Sequence, residues 1–435
     1  MATGFPTKAN WAAGDILTAA QMDDLAGTVN LFSNASATTG SQLVSNAAGT
    51  SFAYQPTPSA SNPVLNSAMQ VWQRYATQVT GTITAATSGA TTAYVVANSF
   101  VVGQYVTVTG MTPTTLNGAG VVTVASGVGF TISATTTGTF SAGGIATGSP
   151  YVSLAASSGV IYAADRWCSA SGVSQALTIT RQTTSDTTNL PNIQYCSRIQ
   201  RNSGQTGTST INYYQNFESV NSIPLAGKAI TISYYARAGA NYSATSNQLN
   251  AIVYSGTGTD QNILTSFTGS TTVASTSATL TTTWQRFTFT GTVASTATQI
   301  AVGFSGTPTG TAGTNDYYEV TGVQIDVGSV ALPFRTYGAT LQGELAACQR
   351  YYQTNSRCGY LGNVTVSNAY YQQYTFVVLM RTAPTVTLTS VAASLFSTTT
   401  TAGAISADTM QLACVCSATG SAGYFINSFT ASAEL

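Results

Sequence analysis

One stretch limits what the rest of the chain can be. In 317–327, Val320, Gly322, Gln324 and Asp326 fall on one parity and Thr321, Val323, Ile325 and Val327 on the other. That alternation specifies a strand, expected to bury Val323, Ile325 and Val327 and to leave the polar parity outside. Gly328 and Pro333 follow, one tolerant of a tight turn and the other without an amide hydrogen, so the ladder stops there. The stretch reads as the last strand of a sandwich, with a different unit after it.

Upstream, short runs rich in β-branched and aromatic residues recur at 160–169, 176–182, 194–201, 210–217, 229–237, 249–255, 278–282, 284–293 and 300–306. Glycine, asparagine and serine clusters separate them, which predicts a two-sheet jelly roll over 62–76 and 151–335. The segment 62–76 is expected to be its first strand, packed through Val71 and Trp72. Ile230, Ile232 and Tyr234 share one face, and Trp167 and Trp284 are expected in the core, because large aromatics dominate sandwich interiors. Between the two parts, 77–150 is an uncharged run with strand-like pieces at 93–97, 105–110, 120–125 and 130–134 and an Asn117-Gly118 turn signal. It reads as a small β-barrel or immunoglobulin-like domain inserted in a loop, which requires its two ends to lie together.

Beyond Arg335, the unit 336–435 opens with Thr340 as the cap of a helix in which Leu341, Leu345, Cys348 and Tyr352 form one stripe. It continues as short strands to an alternating run at 423–435. At the other end, 1–61 holds one clear helix. Thr18 and Gln21 make a capping-box pattern, and Met22, Leu25, Val29 and Phe32 repeat at coiled-coil spacing. A helix this short needs a partner for its stripe: further copies of the chain about an axis, a larger assembly, or its own domain. The stretch 33–61 reads as a linker. The fold class is therefore mainly β and multi-domain, with an N-terminal helix, a jelly-roll sandwich carrying a small inserted β domain, and a C-terminal β-rich domain after one helix.

Charged residues make up only 6% of this chain against 43% hydrophobic, where ordinary soluble domains carry roughly 25% charge. Thirteen basic and thirteen acidic residues cancel, which removes the electrostatic footprint of a nucleic-acid binder and favours association. Eleven of the cations are Arg, pointing to fixed bidentate or stacked roles. Apolar runs such as 376–380 are strand-sized, so no membrane insertion is expected. Pro6, Lys8, Asn10 and Gly14 break up any secretory core.

The sequence has no histidine, which removes the commonest general base, the commonest metal ligand and every Ser-His or Cys-His nucleophile. The sandwich carboxylates Asp165, Asp186, Glu218, Asp260, Asp316, Glu319 and Asp326 show no spacing that picks out an acid and a base. Six cysteines complete no zinc signature and read as buried thiols, and no Asp/Asn cluster has calcium-loop spacing. No catalytic residue, cofactor or metal is expected, and Asp165-Arg166 beside Trp167 reads as a structural ion pair. Binding is the better candidate activity: 23 tyrosines with abundant Asn, Gln, Ser and Thr are the side chains that grip sugars. Tyr doublets at 213–214, 234–235, 317–318, 351–352 and 370–371 each put one ring on either side of an element. Tyr370, Tyr371 and Tyr374 are the first candidates for a glycan contact.

Several ordered motifs resemble structural proteins of tailed bacteriophages: Asn62-Pro63 with Trp72-Gln73-Arg74, Tyr162-Ala163-Ala164-Asp165-Arg166-Trp167, Trp284-Gln285-Arg286-Phe287-Thr288, Gln324 through Phe334, and Glu344-Leu345-Ala346-Ala347-Cys348-Gln349-Arg350-Tyr351-Tyr352. The resemblance implies a virion fibre or tail protein with a jelly-roll domain like that of carbohydrate-binding modules, in some of which a structural calcium is held. It implies a homotrimer anchored through its N-terminal segment to phage tail or baseplate proteins, with the β domains meeting a host cell-surface glycan. A head or decoration fibre with a purely structural role and a polysaccharide depolymerase are the alternatives. In one respect the pattern departs from that family: here 77–150 separates the opening motif from Asp165-Arg166-Trp167.

Overall fold

The computed structural model describes residues 41–45, 52–56 and 62–435, apart from 76, 191 and 192. The helix expected to carry Met22, Leu25, Val29 and Phe32 lies outside the described residues. Within the stretch read as a linker, Ser41–Ser45 and Phe52–Pro56 pair as an antiparallel hairpin.

The chain is mainly β. Its largest unit is a sandwich of two six-stranded sheets whose neighbouring strands are all antiparallel. The first sheet runs Tyr151–Leu154, Leu177–Thr183, Tyr195–Arg201, Tyr317–Val327, Ala229–Ala238, Gln285–Thr292. The second runs Ile161–Tyr162, Trp167–Ser169, Ile211–Asn216, Gln299–Gly306, Gln248–Gly256, Thr271–Thr279. Between them Trp167 stacks on Tyr213 at 5.2 Å, and Ile230, Ile232 and Tyr234 share the buried face as expected. Trp284 is buried too, but in a separate cluster with Ala68, Ile193 and Cys196.

The closing strand forms over Tyr317–Val327, yet its parity is not the one the alternation predicts. Opposite it the register slips between Ser233 and Tyr235, and Gly322 is the extra residue, at φ 59°. A bulge of this kind inverts the side-chain order along the strand. Tyr318 and Val320 therefore reach the core before it, and Val323 and Ile325 after it. Glu319, Thr321, Gln324 and Asp326 fall on the other side, and that side is not open either: all four are fully buried.

Beside this strand lies the segment expected to be the first one, with Val64, Met69 and Trp72 in the inter-sheet core and Ala68 packed in the Trp284 cluster. Residues 62–75 make turns instead, with positive φ at Asn66 and Met69. Asn62 takes the place of a neighbouring strand: its Nδ2 donates to Val323 O at 2.8 Å and its Oδ1 accepts from Ile325 N at 3.2 Å. Val71 and Trp72 are buried as expected. Gln324 Oε1 accepts from Arg335 N at 2.8 Å, while Asp326 accepts from Leu332 N and pairs with Arg335 at 2.7 Å, so 330–335 folds back over the same side.

Residues 78–148 form one seven-stranded sheet with its own hydrophobic cluster. Gln78–Val79 pairs with Ala142–Gly148, so its two ends lie side by side. It docks on the first sheet, where Gln182 Nε2 donates to Gly103 O at 3.0 Å. After the sandwich, Thr340 caps the helix Leu341–Gln349, its Oγ1 accepting from Gly343 N at 3.1 Å. The expected stripe is met in part, with Cys348 and Tyr352 buried. Leu341 is 60% exposed, whereas Glu344 is buried because its carboxylate accepts from Asn66 N and Gly338 N. Two three-stranded sheets follow, and Gly420–Ser432 is a paired central strand, as expected for the final run.

At Gly322 an added Cβ would stand 2.8 Å from both Ile193 Cδ1 and Tyr235 Cδ2, in a conformation that L side chains resist. Gly322→Ala is expected to lower stability by about 1–3 kcal/mol, read as a lower denaturant midpoint at unchanged slope.

Candidate functional site

The motif residues converge, but on a junction between the sandwich and the C-terminal unit. Asp165 accepts from the backbone and side-chain nitrogens of Gln73. The Arg74 guanidinium lies 3.8 Å from the Tyr352 ring centroid and Arg166 lies 3.6 Å from that of Tyr351. Both arginines pair with Glu434. Glu218 takes Arg350 at 2.7 Å and the Tyr351 hydroxyl at 2.9 Å. The expected Asp165–Arg166 pair does not form: Asp165 faces Arg74 and Arg166 faces Glu434. Asp165, Arg166, Glu218 and Tyr351 are buried, so this cluster fastens two units together and presents nothing to a ligand.

The carboxylates singled out in the sequence are all engaged. Besides those at the junction, Asp186 accepts from Asn189 and Thr188, Asp260 from Ser219 and Arg381, and Asp316 from Arg201 and Ser243. Glu319 lies between Arg198 and Arg237. Burial pushes its pKa up, but the two guanidiniums outweigh burial and hold it below the ordinary value of 4.5. A carboxylate depressed in this way contributes stability that is complete above its unfolded pKa and lost as pH falls through the folded one. Glu319→Gln is therefore expected to cost roughly 3 kcal/mol near neutral pH, because buried Arg198 and half-buried Arg237 lose their counter-charge. The deficit relative to the parent should shrink below pH 4.5, as followed by urea titrations across pH.

One end of the second sheet's outer side is left open. Toward its other end Cys168, Tyr214 and Ile252 are buried with Ile263 and Leu264 against them, whereas at the open end exposed and half-buried side chains form cross-strand rows. One row is Asn212, Ser305, Asn250 and Ser277, in register over four strands. Thr307 and Gln248 continue it toward the strand ends, where Thr210 Oγ1 and Thr307 Oγ1 are 3.0 Å apart. A cavity of about 340 Å³ opens here, lined by Thr210, Gln248, Asn250, Ser277, Ser305 and Thr307 among others. Its named walls carry hydroxyls and amides and no charge.

Toward the other end of this face the Tyr214 ring lies across Gly303, where any Cβ would overlap it. The Tyr254 ring, half-buried, meets Tyr214 edge-on at 6.1 Å. Burial pushes the Tyr214 hydroxyl pKa well up, so it stays a neutral donor, directed at Asn212 Oδ1 at 3.4 Å. The face thus offers rows of neutral donors and acceptors beside one half-exposed aromatic ring. Sequence reading missed it, although the period-two alternation of Asn212 with Tyr214, and of Asn250 with Ile252 and Tyr254, was visible in the chain.

Tyr370, Tyr371 and Tyr374 are not brought to one surface. Tyr370 packs against Tyr360 and Phe396, and Tyr374 against Phe429 at 4.9 Å with its hydroxyl accepting from Asn355. Tyr371, on the opposite parity of the same strand, is 58% exposed. The doublets behave unevenly: Tyr213 and Tyr214 are both buried, as are Tyr351 and Tyr352, while Tyr235 and Tyr317 are half-buried beside buried Tyr234 and Tyr318. All six cysteines are buried thiols. Among the described residues no group of three or more His, Cys, Asp or Glu could hold a metal, and no helix is long and apolar enough to cross a membrane.

No family model and no curated protein matches the sequence. Among solved structures, the chain is similar to a CBM4 carbohydrate-binding module at 19% identity, covering 35% of this chain and 87% of that one, with a TM-score of 0.23. It is similar to the CBM22-1 xylan-binding domain of Paenibacillus barcinonensis Xyn10C at 12% identity, covering 41% and 95%, with a TM-score of 0.27. It is also similar to the enzymatically active domain of bacteriophage CBA120 tailspike protein 4 at 12% identity, covering 38% of this chain and 19% of that one, with a TM-score of 0.25.

Proposed function

We propose that this chain is a glycan-binding structural protein of a tailed-bacteriophage particle, in its simplest form a homotrimeric tail fibre. The N-terminal segment attaches it to tail or baseplate proteins, and the β domains meet the host cell surface. It holds sugars and does not turn them over. The observation that carries the binding reading is the open face of the second sheet, where Asn212, Ser305, Asn250 and Ser277 line up across four strands beside half-buried Tyr254. Neutral sugars are recognised by directional hydrogen bonds together with an aromatic surface, and this face supplies both without the desolvation cost of a buried charge. The phage assignment rests on the ordered sequence motifs, and the charge-poor composition supports a chain that coheres through copies of itself.

Retention of the full chain on immobilised neutral polysaccharides tests the binding reading. Asn250→Ala and Tyr254→Ala are each expected to weaken retention by about tenfold or more, the first changing stability by less than about 1 kcal/mol and the second lowering it by roughly 1–2 kcal/mol because its ring packs on Tyr214 and Ile252. Retention unchanged in both variants would remove the open face as the site. Antibody labelling of the assembled particle, seen by electron microscopy, is expected to decorate the tail.

A further inference from the structure

We infer that the groove between the docked 78–148 sheet and the first sheet of the sandwich is a second binding site, and that its ligand is a single acidic sugar residue. The groove has a volume of about 260 Å³, and its lining includes Arg198, Gln200, Asn315 and Tyr317 from the sandwich and Thr123 and Ser133 from the docked sheet. That is smaller than the roughly 300–1,000 Å³ of sites for drug-sized ligands, and it suits one sugar ring better than a chain.

Two independent features define the chemistry. The first is charge. Arg198 Nε and Nη2 both donate to Glu319 Oε1, which leaves Nη1 without a hydrogen-bond partner among the described residues. Glu319 is shared with Arg237, so two guanidiniums face one carboxylate and the cluster keeps one positive charge. The 78–148 segment across the groove contains no Asp, Glu, Lys or Arg, so it supplies no counter-ion. A carboxylate on the ligand would complete the balance through a charge-assisted hydrogen bond. Arg198 is already rigid, stacked 3.8 Å from the Tyr317 ring centroid, so little side-chain freedom remains to be lost on binding.

The second feature is the uncharged polar wall. Gln200 is 4% exposed and its Nε2 is fixed by Thr314 O at 2.9 Å, yet its Oε1 has no partner. That oxygen is enclosed against Gly103, where an added Cβ would stand 2.6 Å from it, so it shapes the wall of the groove without meeting a ligand. The Tyr317 hydroxyl makes no hydrogen bond among the described residues, and Asn315 is exposed at the rim. A carboxylate next to ring hydroxyls is the pattern of a uronic acid. This site is separate from the open face of the second sheet, which is neutral, and does not depend on it.

The test is titration of the full chain with D-glucuronate, D-glucose and acetate, followed by saturation-transfer NMR. D-glucuronate is expected to bind with a dissociation constant on the order of 1 mM, weakening with salt, and about tenfold more tightly than either D-glucose or acetate. Tyr317→Phe should weaken glucuronate about tenfold, and Thr123→Trp, which fills the groove from the docked sheet, should abolish its binding. Neither variant should alter retention on neutral polysaccharide, so a failure here is distinct from a failure of the open face. Absence of glucuronate binding, equal binding of acetate, or full binding by Thr123→Trp would each overturn the proposal.

Discussion

The bulge at Gly322 is the feature on which the sandwich depends. A closing strand without it would send Tyr318 and Val320 to one side and Val323 and Ile325 to the other, and the core would lose half of its central strand. With it, both pairs reach the core and the polar residues gather behind. Those polar residues then act as fixtures: Glu319 ties the two flanking strands through Arg198 and Arg237, and Gln324 and Asp326 hold 330–335. Asn62 pairs with the backbone at Val323 and Ile325, just past the bulge, where Tyr195–Arg201 no longer reaches. The polar row Asn212, Ser305, Asn250 and Ser277 of the other sheet stays on the sandwich's surface.

The scarcity of charge is explained by where the charges are. Among the described residues eight of the eleven arginines are ion-paired, and most of the pairs link elements far apart in sequence, as in Arg198–Glu319, Arg201–Asp316 and Arg74–Glu434. Buried pairs of this kind add little net stability against an apolar core, but a wrong pairing would strand a charge, so they select one arrangement of the units. Arginine suits the task because its planar fork can pair and stack at once, as Arg198 does with Glu319 and Tyr317 and Arg237 with Glu319 and Trp284. The surface is left to Thr, Ser and Asn, which hydrate without drawing ions.

Much of this was legible in the chain, and the misses have identifiable causes. Most strand positions followed from period-two runs because each run is local, although the strand expected at 278–282 lies at Thr271–Thr279, and the helix start followed from Thr340 because a cap is local too. The parity of Tyr317–Val327 could not be read, since a glycine in an alternating run looks the same whether or not it is bulged. Residues 62–76 misled in a different way: Val71 and Trp72 are buried, but positive φ at Asn66 and Met69 makes a turn, and burial alone does not specify a strand. Glu344 joined the expected helix stripe because backbone amides from Asn66 and Gly338 drew it inward, a contact 278 residues away in the case of Asn66. The open face was hidden for the same reason. Its row joins residues from four strands, and register between distant strands is not written in any one of them.

A neutral face and a charge-poor chain also place a shared demand on how such a protein can hold a surface. Each hydrogen bond to a sugar hydroxyl is worth only about 1 kcal/mol once water is displaced from both partners. With no net charge, long-range steering does not raise the encounter rate. A row of four amides and hydroxyls in a single copy therefore gives a weak and short-lived contact. Useful strength has to come from several copies engaging a repetitive polymer together, where the second contact forms at the high effective concentration set by the first. The composition that denies this chain an ionic coat is the same composition that favours association between copies. On the proposed reading, weak neutral contacts and self-association are two consequences of one choice of residues, and each is of little use without the other.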